Sequence, residues 1–117
     1  MRKFTKTMSA IGLATAWLMM GASSVTAQGS GAILEQRVVT RYCLACHNDQ
    51  ALRGGLSLEG FQLDDIAGHA EVWERVVRKL RAGAMPPDGA PRPDETTSNR
   101  LVAYLESALD TRAVTTA

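Results

Sequence analysis

Five consecutive residues, Cys43-Leu44-Ala45-Cys46-His47, constrain this chain more than any other feature. They hold its only two cysteines, three positions apart, with an imidazole directly after the second. Thiols at this spacing can add to the vinyl groups on adjacent pyrrole rings of a haem, giving two thioether bonds. The histidine that follows is then carried under the iron as proximal ligand. Its other ring nitrogen is expected to donate to a backbone carbonyl, which fixes the tautomer. Two other chemistries use a cysteine pair. A redox dithiol of the thioredoxin type belongs to a β-α unit, whereas here a helical pattern runs into the motif and no β-rich pattern is present. A structural zinc site closes with four ligands, and beyond His47 only His69 is on offer. The expectation is one haem c, covalent through Cys43 and Cys46, with His47 on its iron.

An exported compartment suits that chemistry, and the N-terminus reads as a leader. Arg2, Lys3 and Lys6 precede a mainly apolar stretch from Ile11 to Met20, broken by Gly12 and Thr15. Val25-Thr26-Ala27 places small residues where a signal peptidase cuts, so cleavage is expected after Ala27. The apolar stretch is too short and interrupted for a span of roughly 20 residues; the alternative is an uncleaved N-terminal anchor. The expected mature chain, residues 28–117, carries ten basic and twelve acidic residues, which leaves −2. That balance argues against nucleic acid as partner, since phosphate binding needs a basic patch. A single small domain is expected there, with its core at about residues 32–110. Its only aromatics are Tyr42, Phe61, Trp73 and Tyr104, so a cofactor would supply apolar bulk that a chain of this size otherwise lacks.

Residues 28–31 read as a flexible lead-in. Ile33, Leu34, Val38 and Tyr42 then fall at helical spacing and predict an amphipathic helix over Ala32–Tyr42. After the cysteine motif come Gly54, Gly55 and Gly60, with Leu56 and Leu58 alternating in a possible short extended piece. A second helix is predicted over Ala70–Arg81, its apolar face formed by Val72, Trp73, Val76, Val77 and Leu80. Glu71–Arg75 and Glu74–Arg78 are spaced as i,i+4 ion pairs, and Gly83 stands where a left-handed cap would end the helix. A last helix is predicted from Pro93-Asp94-Glu95, burying Leu101, Tyr104, Leu105, Ala108 and Leu109.

Met85 is the only methionine after residue 27. It follows the second helix, and Pro86 and Pro87 bar it from continuing helical. A stiff loop presenting a thioether is what an axial sulfur ligand requires, and His/Met ligation raises the reduction potential. Plugging a core gap is the other use of such a residue. His69 is the rival sixth ligand, and a vacant distal position the third arrangement. Trp73 and Tyr104 are expected to pack on the haem edge, and either could bond a propionate; Arg53 could do so too.

With these residues in place, the chain resembles the small planctomycete-type cytochrome c domain from about Val38 to Leu109. The likeness is carried by Tyr42 to Asn48, by Gly54-Gly55-Leu56-Ser57-Leu58, by Glu71-Val72-Trp73-Glu74, by Val77 to Arg81 and by Met85-Pro86-Pro87. The resemblance implies an all-α small cytochrome c fold, about three main helices around one haem, with His47 proximal and Met85 distal. It implies electron transfer rather than substrate turnover. In many relatives the domain heads a longer polypeptide, whereas this sequence stops at Ala117. The expected role is a periplasmic mono-haem electron carrier, not itself an enzyme, with a redox protein as donor and another as acceptor and with no membrane span in the mature form. Two other roles are a haem subunit of a separately encoded exported oxidoreductase, and a haem-based ligand sensor.

Overall fold

The computed structural model describes residues 26–116, so the expected leader lies outside the described residues except for its last two. Three helices make the frame: α1 (Thr26–Tyr42), α2 (Ala70–Arg81) and α3 (Glu95–Thr116). Two single 3₁₀ turns, Arg53–Gly55 and Ala67–His69, interrupt the long connection between α1 and α2, and no strand occurs among the described residues. The all-α expectation holds. Leu56 is extended (φ −115, ψ 128) but pairs with no neighbouring strand.

The first helix departs from its sequence reading in two ways. It starts at Thr26 and runs through the residues read as a flexible lead-in. Gly31 lies against α3, where even a Cβ would make only an ordinary contact with the Tyr104 ring at 3.6 Å, and packing rather than propensity sustains most helices. Its buried face also differs. Ile33 and Leu34 are 58% and 52% exposed, whereas Val38, Val39 and even Glu35, 2% exposed, are buried. The helix is turned toward α3 by the ion pair that Glu35 makes with Arg100 Nε at 2.5 Å. An apolar-in pattern cannot anticipate a buried carboxylate.

The second helix occupies the predicted span and ends as predicted. Ala84 N–H donates to Lys79 O and Gly83 N–H to Leu80 O, both at 3.0 Å, around Gly83 at φ +65. These two bonds satisfy carbonyls that the last turn leaves open. At the start of α3, Asp94 is the cap: its carboxylate accepts from Thr97 N–H and Thr97 Oγ1, each at 2.8 Å. The helices pack through Val39, Trp73, Leu101 and Leu105, all fully buried. Val102 joins this core, beyond the predicted stripe. The i,i+4 pairs expected on α2 are not made; the ion pairs instead cross between helices, Arg100–Glu35 and the two-bond Arg81–Glu106 pair. Loop residues are stapled to this frame, with Gln36 bonding Leu63 N–H (2.9 Å) and Phe61 O (3.3 Å) and Tyr104 Oη donating to Leu63 O (3.0 Å).

Candidate functional site

The cysteine motif begins where α1 stops. Cys43 N–H still bonds Val39 O at 2.9 Å in helical fashion. The chain then folds back, with Cys46 and His47 N–H both donating to Cys43 O at 3.2 and 2.9 Å. One tight turn thus carries two thiols and an imidazole. Asn48 locks it: its amide donates to Leu44 O at 2.7 Å, and its carbonyl oxygen accepts from Gln50 and Ala51 N–H. A local side-chain staple of this kind is a known use of Asn in turns. Leu58 N–H donates to His47 O at 2.8 Å and draws the following loop beside the motif.

Cys43, Cys46 and His47 line one side of a cleft of about 440 Å³. Leu56 and Leu58 of the loop, Val72, Val76 and Leu80 of α2, and Met85 and Pro86 beyond α2 also line it. The structure therefore brings all four sequence-chosen residues to one cavity. Met85 enters from the segment after α2, whose Met85–Pro86 peptide is cis. That segment is tied down by Arg92, whose Nε donates to Pro86 O (2.8 Å) and Nη2 to Gly83 O (2.5 Å). The sequence gives neither Asn48 nor Arg92 a structural role, although Asn48 closes the Tyr42–Asn48 likeness; both act through backbone groups, which leave no pattern.

The rival ligand is elsewhere. His69 stacks on Phe61, ring centroids 3.9 Å apart at 18°, and does not line the cleft. Trp73 and Tyr104 do not line it either, which corrects their expected place at the haem edge. Trp73 is wholly buried in the core, edge-on to Phe61 at 6.3 Å, with Nε1 unpartnered. Tyr104 faces away because its hydroxyl is committed to Leu63 O. Arg53 does line the cleft.

The residues present fit a haem. Both thiols are free, the walls are mainly apolar side chains, and the volume falls in the range of ligand sites, about 300–1,000 Å³. His47 Nδ1 is buried without a hydrogen-bond partner. This departs from the expected bond to a carbonyl. The carbonyls of Cys43, Leu44, Cys46 and His47 are already engaged in holding the turn and its loop. Burial also pushes the Cys43 thiol up from 9.0 to about 11, so it is neutral at ordinary pH. A dithiol oxidoreductase needs the opposite, a thiol lowered toward the thiolate. Among the described residues, no group of three or more His, Cys, Asp or Glu gathers as a metal site.

Comparison with known proteins agrees with this geometry. The sequence model of the family described as cytochrome c oxidase, cbb3-type, subunit III, matches residues 35–105. No curated protein and no solved structure matches the chain. The matched span begins within α1 and ends within α3, so it takes in the whole cleft.

Proposed function

The chain belongs to the family of cbb3-type cytochrome c oxidase subunit III, a haem-binding, electron-transferring cytochrome c domain, and from that premise we propose an exported mono-haem carrier of single electrons. Cys43 and Cys46 would hold the haem as thioethers, and His47 and Met85 would ligate its iron. The observation that carries this reading is the convergence of those four residues on one mainly apolar cleft, although 38 positions separate His47 from Met85. The likeness to the planctomycete-type domain, with its Met-Pro-Pro segment, supports the same assignment.

When bound, the haem supplies an Fe(II)/Fe(III) couple. The chain supplies the rest. The 43–47 turn sets the imidazole in register with both thiols, and an apolar wall of buried Leu58 and half-buried Val76 and Leu80 would shield a haem held there from water. A thioether from Met85 favours the ferrous state, and apolar surroundings push the same way by disfavouring the more highly charged ferric form. No proton or nucleophile is required of any residue. The leader and the c-type motif together support a periplasmic location. No helix among the described residues is long and apolar enough to cross a membrane.

The family description, an oxidase subunit, favours a second reading in which this domain is the haem subunit of a larger exported oxidoreductase. A redox titration followed optically tests ligation in either case. The ferric holoprotein should show the weak long-wavelength methionine–iron band, and Met85→Ala should abolish it and lower the potential. A variant with band and potential unchanged refutes Met85 as ligand. Co-purification of the wild-type protein with a dehydrogenase or oxidase would favour the subunit over the free carrier.

A further inference from the structure

The outward face of α1 covers nothing in the fold. At about 100° of rotation per residue, Ile33, Arg37, Arg41 and Leu34 fall within one arc about 100° wide, and all four are exposed. Glu35, Val38, Val39 and Tyr42 occupy the opposite arc and pack inward. Ile33 and Leu34 are each more than half exposed, and the other large exposed apolar residues, Leu52 and Val114, stand singly on other segments. Glu35 is the only acid of the helix, and it is buried against Arg100. The exposed arc therefore combines two apolar side chains with two cations and no anion. Arg41 lies over the neighbouring Tyr42 ring at 5.5 Å, and neither arginine makes an ion pair among the described residues.

Apolar side chains interleaved with arginines on one helix face suit the boundary between lipid headgroups and acyl chains. The arginine stems lie along apolar surface there while their guanidinium groups reach phosphate. A protein surface could also cover Ile33 and Leu34, so chain position decides. The apolar stretch Ile11–Met20 ends only a few residues before α1 begins at Thr26. Export therefore delivers α1 ahead of the other helices, at the outer face of the membrane just crossed. The expected mature chain sums to −2, so an anionic surface attracts it only through a local basic face, and that fixes its orientation. Tyr42, the α1 residue that lines the haem cleft, lies on the opposite arc, so a molecule resting on this face keeps its cleft turned away from lipid.

We propose that Ile33, Leu34, Arg37 and Arg41 seat the exported domain on an anionic bilayer surface, with both arginines on headgroup phosphates and both apolar side chains at the acyl boundary. This rests on the export reading above and is independent of the haem ligands.

Cosedimentation of the exported holoprotein with phosphatidylglycerol/phosphatidylcholine vesicles tests it. Binding is expected at low salt, and it should be lost at 1 M salt, where the Debye length is about 3 Å, and on phosphatidylcholine alone. Arg37→Gln/Arg41→Gln should weaken binding about thirtyfold, since each basic residue near an anionic surface is worth about fivefold. Ile33→Ser/Leu34→Ser should weaken it about tenfold or more. Arg75→Gln/Lys79→Gln, on the cleft-lining face of α2, should change nothing. These exposed positions leave the core untouched, and circular dichroism with the haem spectrum checks that each variant folds as the wild type does. Equal losses in the α2 variant, or full binding by Ile33→Ser/Leu34→Ser, would mean diffuse charge attraction and would overturn the α1 face. Absence of wild-type binding to anionic vesicles overturns it too and leaves the export reading standing. Recovery of the protein from the cytoplasm alone, with residues 1–27 still attached, overturns export and the membrane seat together.

Discussion

Removing the Arg100 side chain should destabilise the domain well beyond the usual effect of a half-exposed residue. Glu35 is the only charged side chain in the core of the described residues. Its Oε1 accepts from Arg100 Nε, and its Oε2 is buried with no partner at all. In Arg100→Leu the carboxylate would keep neither water nor a counter-charge. Breaking a fully buried pair costs about 3–5 kcal/mol, and breaking an exposed one costs about 0–1 kcal/mol. The Glu35 side chain is 3% exposed but that of Arg100 is 52% exposed, so water can partly replace the guanidinium. The expected cost is about 2–3 kcal/mol. Glu35→Leu should cost less, about 1 kcal/mol, because the freed guanidinium turns to solvent. The double variant should recover most of the loss, since neither charge remains to be desolvated. Urea unfolding of the holoproteins by far-UV circular dichroism measures all three. At about 4–8 °C per kcal/mol for a domain of this size, Arg100→Leu should also melt at least 8 °C or so lower. An Arg100→Leu cost within about 0.5 kcal/mol of zero, or equal to that of Glu35→Leu, would refute the reasoning. The pair matters for the site because α1 delivers Cys43 and α3 is what α1 rests on.

Trp73→Phe should cost less than its lost volume implies, because it also removes the unpartnered Nε1, whose burial costs about 1–3 kcal/mol; Trp73→Ala should cost about 3–5 kcal/mol, and equal losses by denaturation would show that Nε1 is bonded. Asp94 is held below the ordinary carboxylate range by the Thr97 backbone and hydroxyl hydrogen bonds. Its folded value lies below its unfolded one, so its stabilising effect is present above about pH 4 and is lost as pH falls through the folded value. Asp94→Ala should therefore lower the melting temperature at neutral pH, with the two curves converging in acid. His69→Ala should leave the haem spectrum and potential unchanged, since the ring stacks on Phe61 outside the cleft; a shifted spectrum would restore it as a ligand.

The helices and the four cleft residues were legible for different physical reasons. The helix over Ala70–Arg81 announces itself through apolar periodicity and a glycine stop, and both are local properties. The cysteine motif is legible because covalent chemistry fixes its spacing. Met85 was found by elimination and by its two prolines. What escaped the sequence depends on contacts between distant segments. Ile33 and Leu34 face solvent because Glu35 is drawn in by Arg100, 65 residues away. Trp73 and Tyr104 could be placed on buried faces, yet not on the side of the helix layer that lacks the haem cleft. The expected acceptor for His47 Nδ1 is missing for a similar reason, since nearby carbonyls serve the turn that Asn48 locks. The cleft rim follows the same rule: Arg75 was assigned a partner by spacing, and it faces the cleft instead.

Arg92 is a positioning residue for the proposed sixth ligand, and its removal should show in ligand exchange before it shows in stability. Its guanidinium bridges Gly83 O and Pro86 O, the carbonyls two residues before and one after Met85. Those two bonds close the loop between the end of α2 and the buried Pro86 ring, and so limit where the thioether can travel. Hydrogen bonds from a charged donor contribute about 1.5–3 kcal/mol when well formed. Arg92 is largely exposed, so the two together are worth about that much rather than twice it. Loosening the loop by 1.5–3 kcal/mol should raise the fraction of molecules with Met85 off the iron about ten- to hundredfold. An external ligand competes only with that open fraction, so the apparent affinity of ferric Arg92→Leu for imidazole should rise by the same factor. Arg92→Lys can reach one carbonyl at a time and should fall between. The readout is a spectrophotometric imidazole titration, compared with the melting curve of each variant. Unchanged imidazole affinity in Arg92→Leu would mean that the prolines alone fix Met85. A rise matched by a large fall in melting temperature would mean that Arg92 supports the fold rather than the ligand.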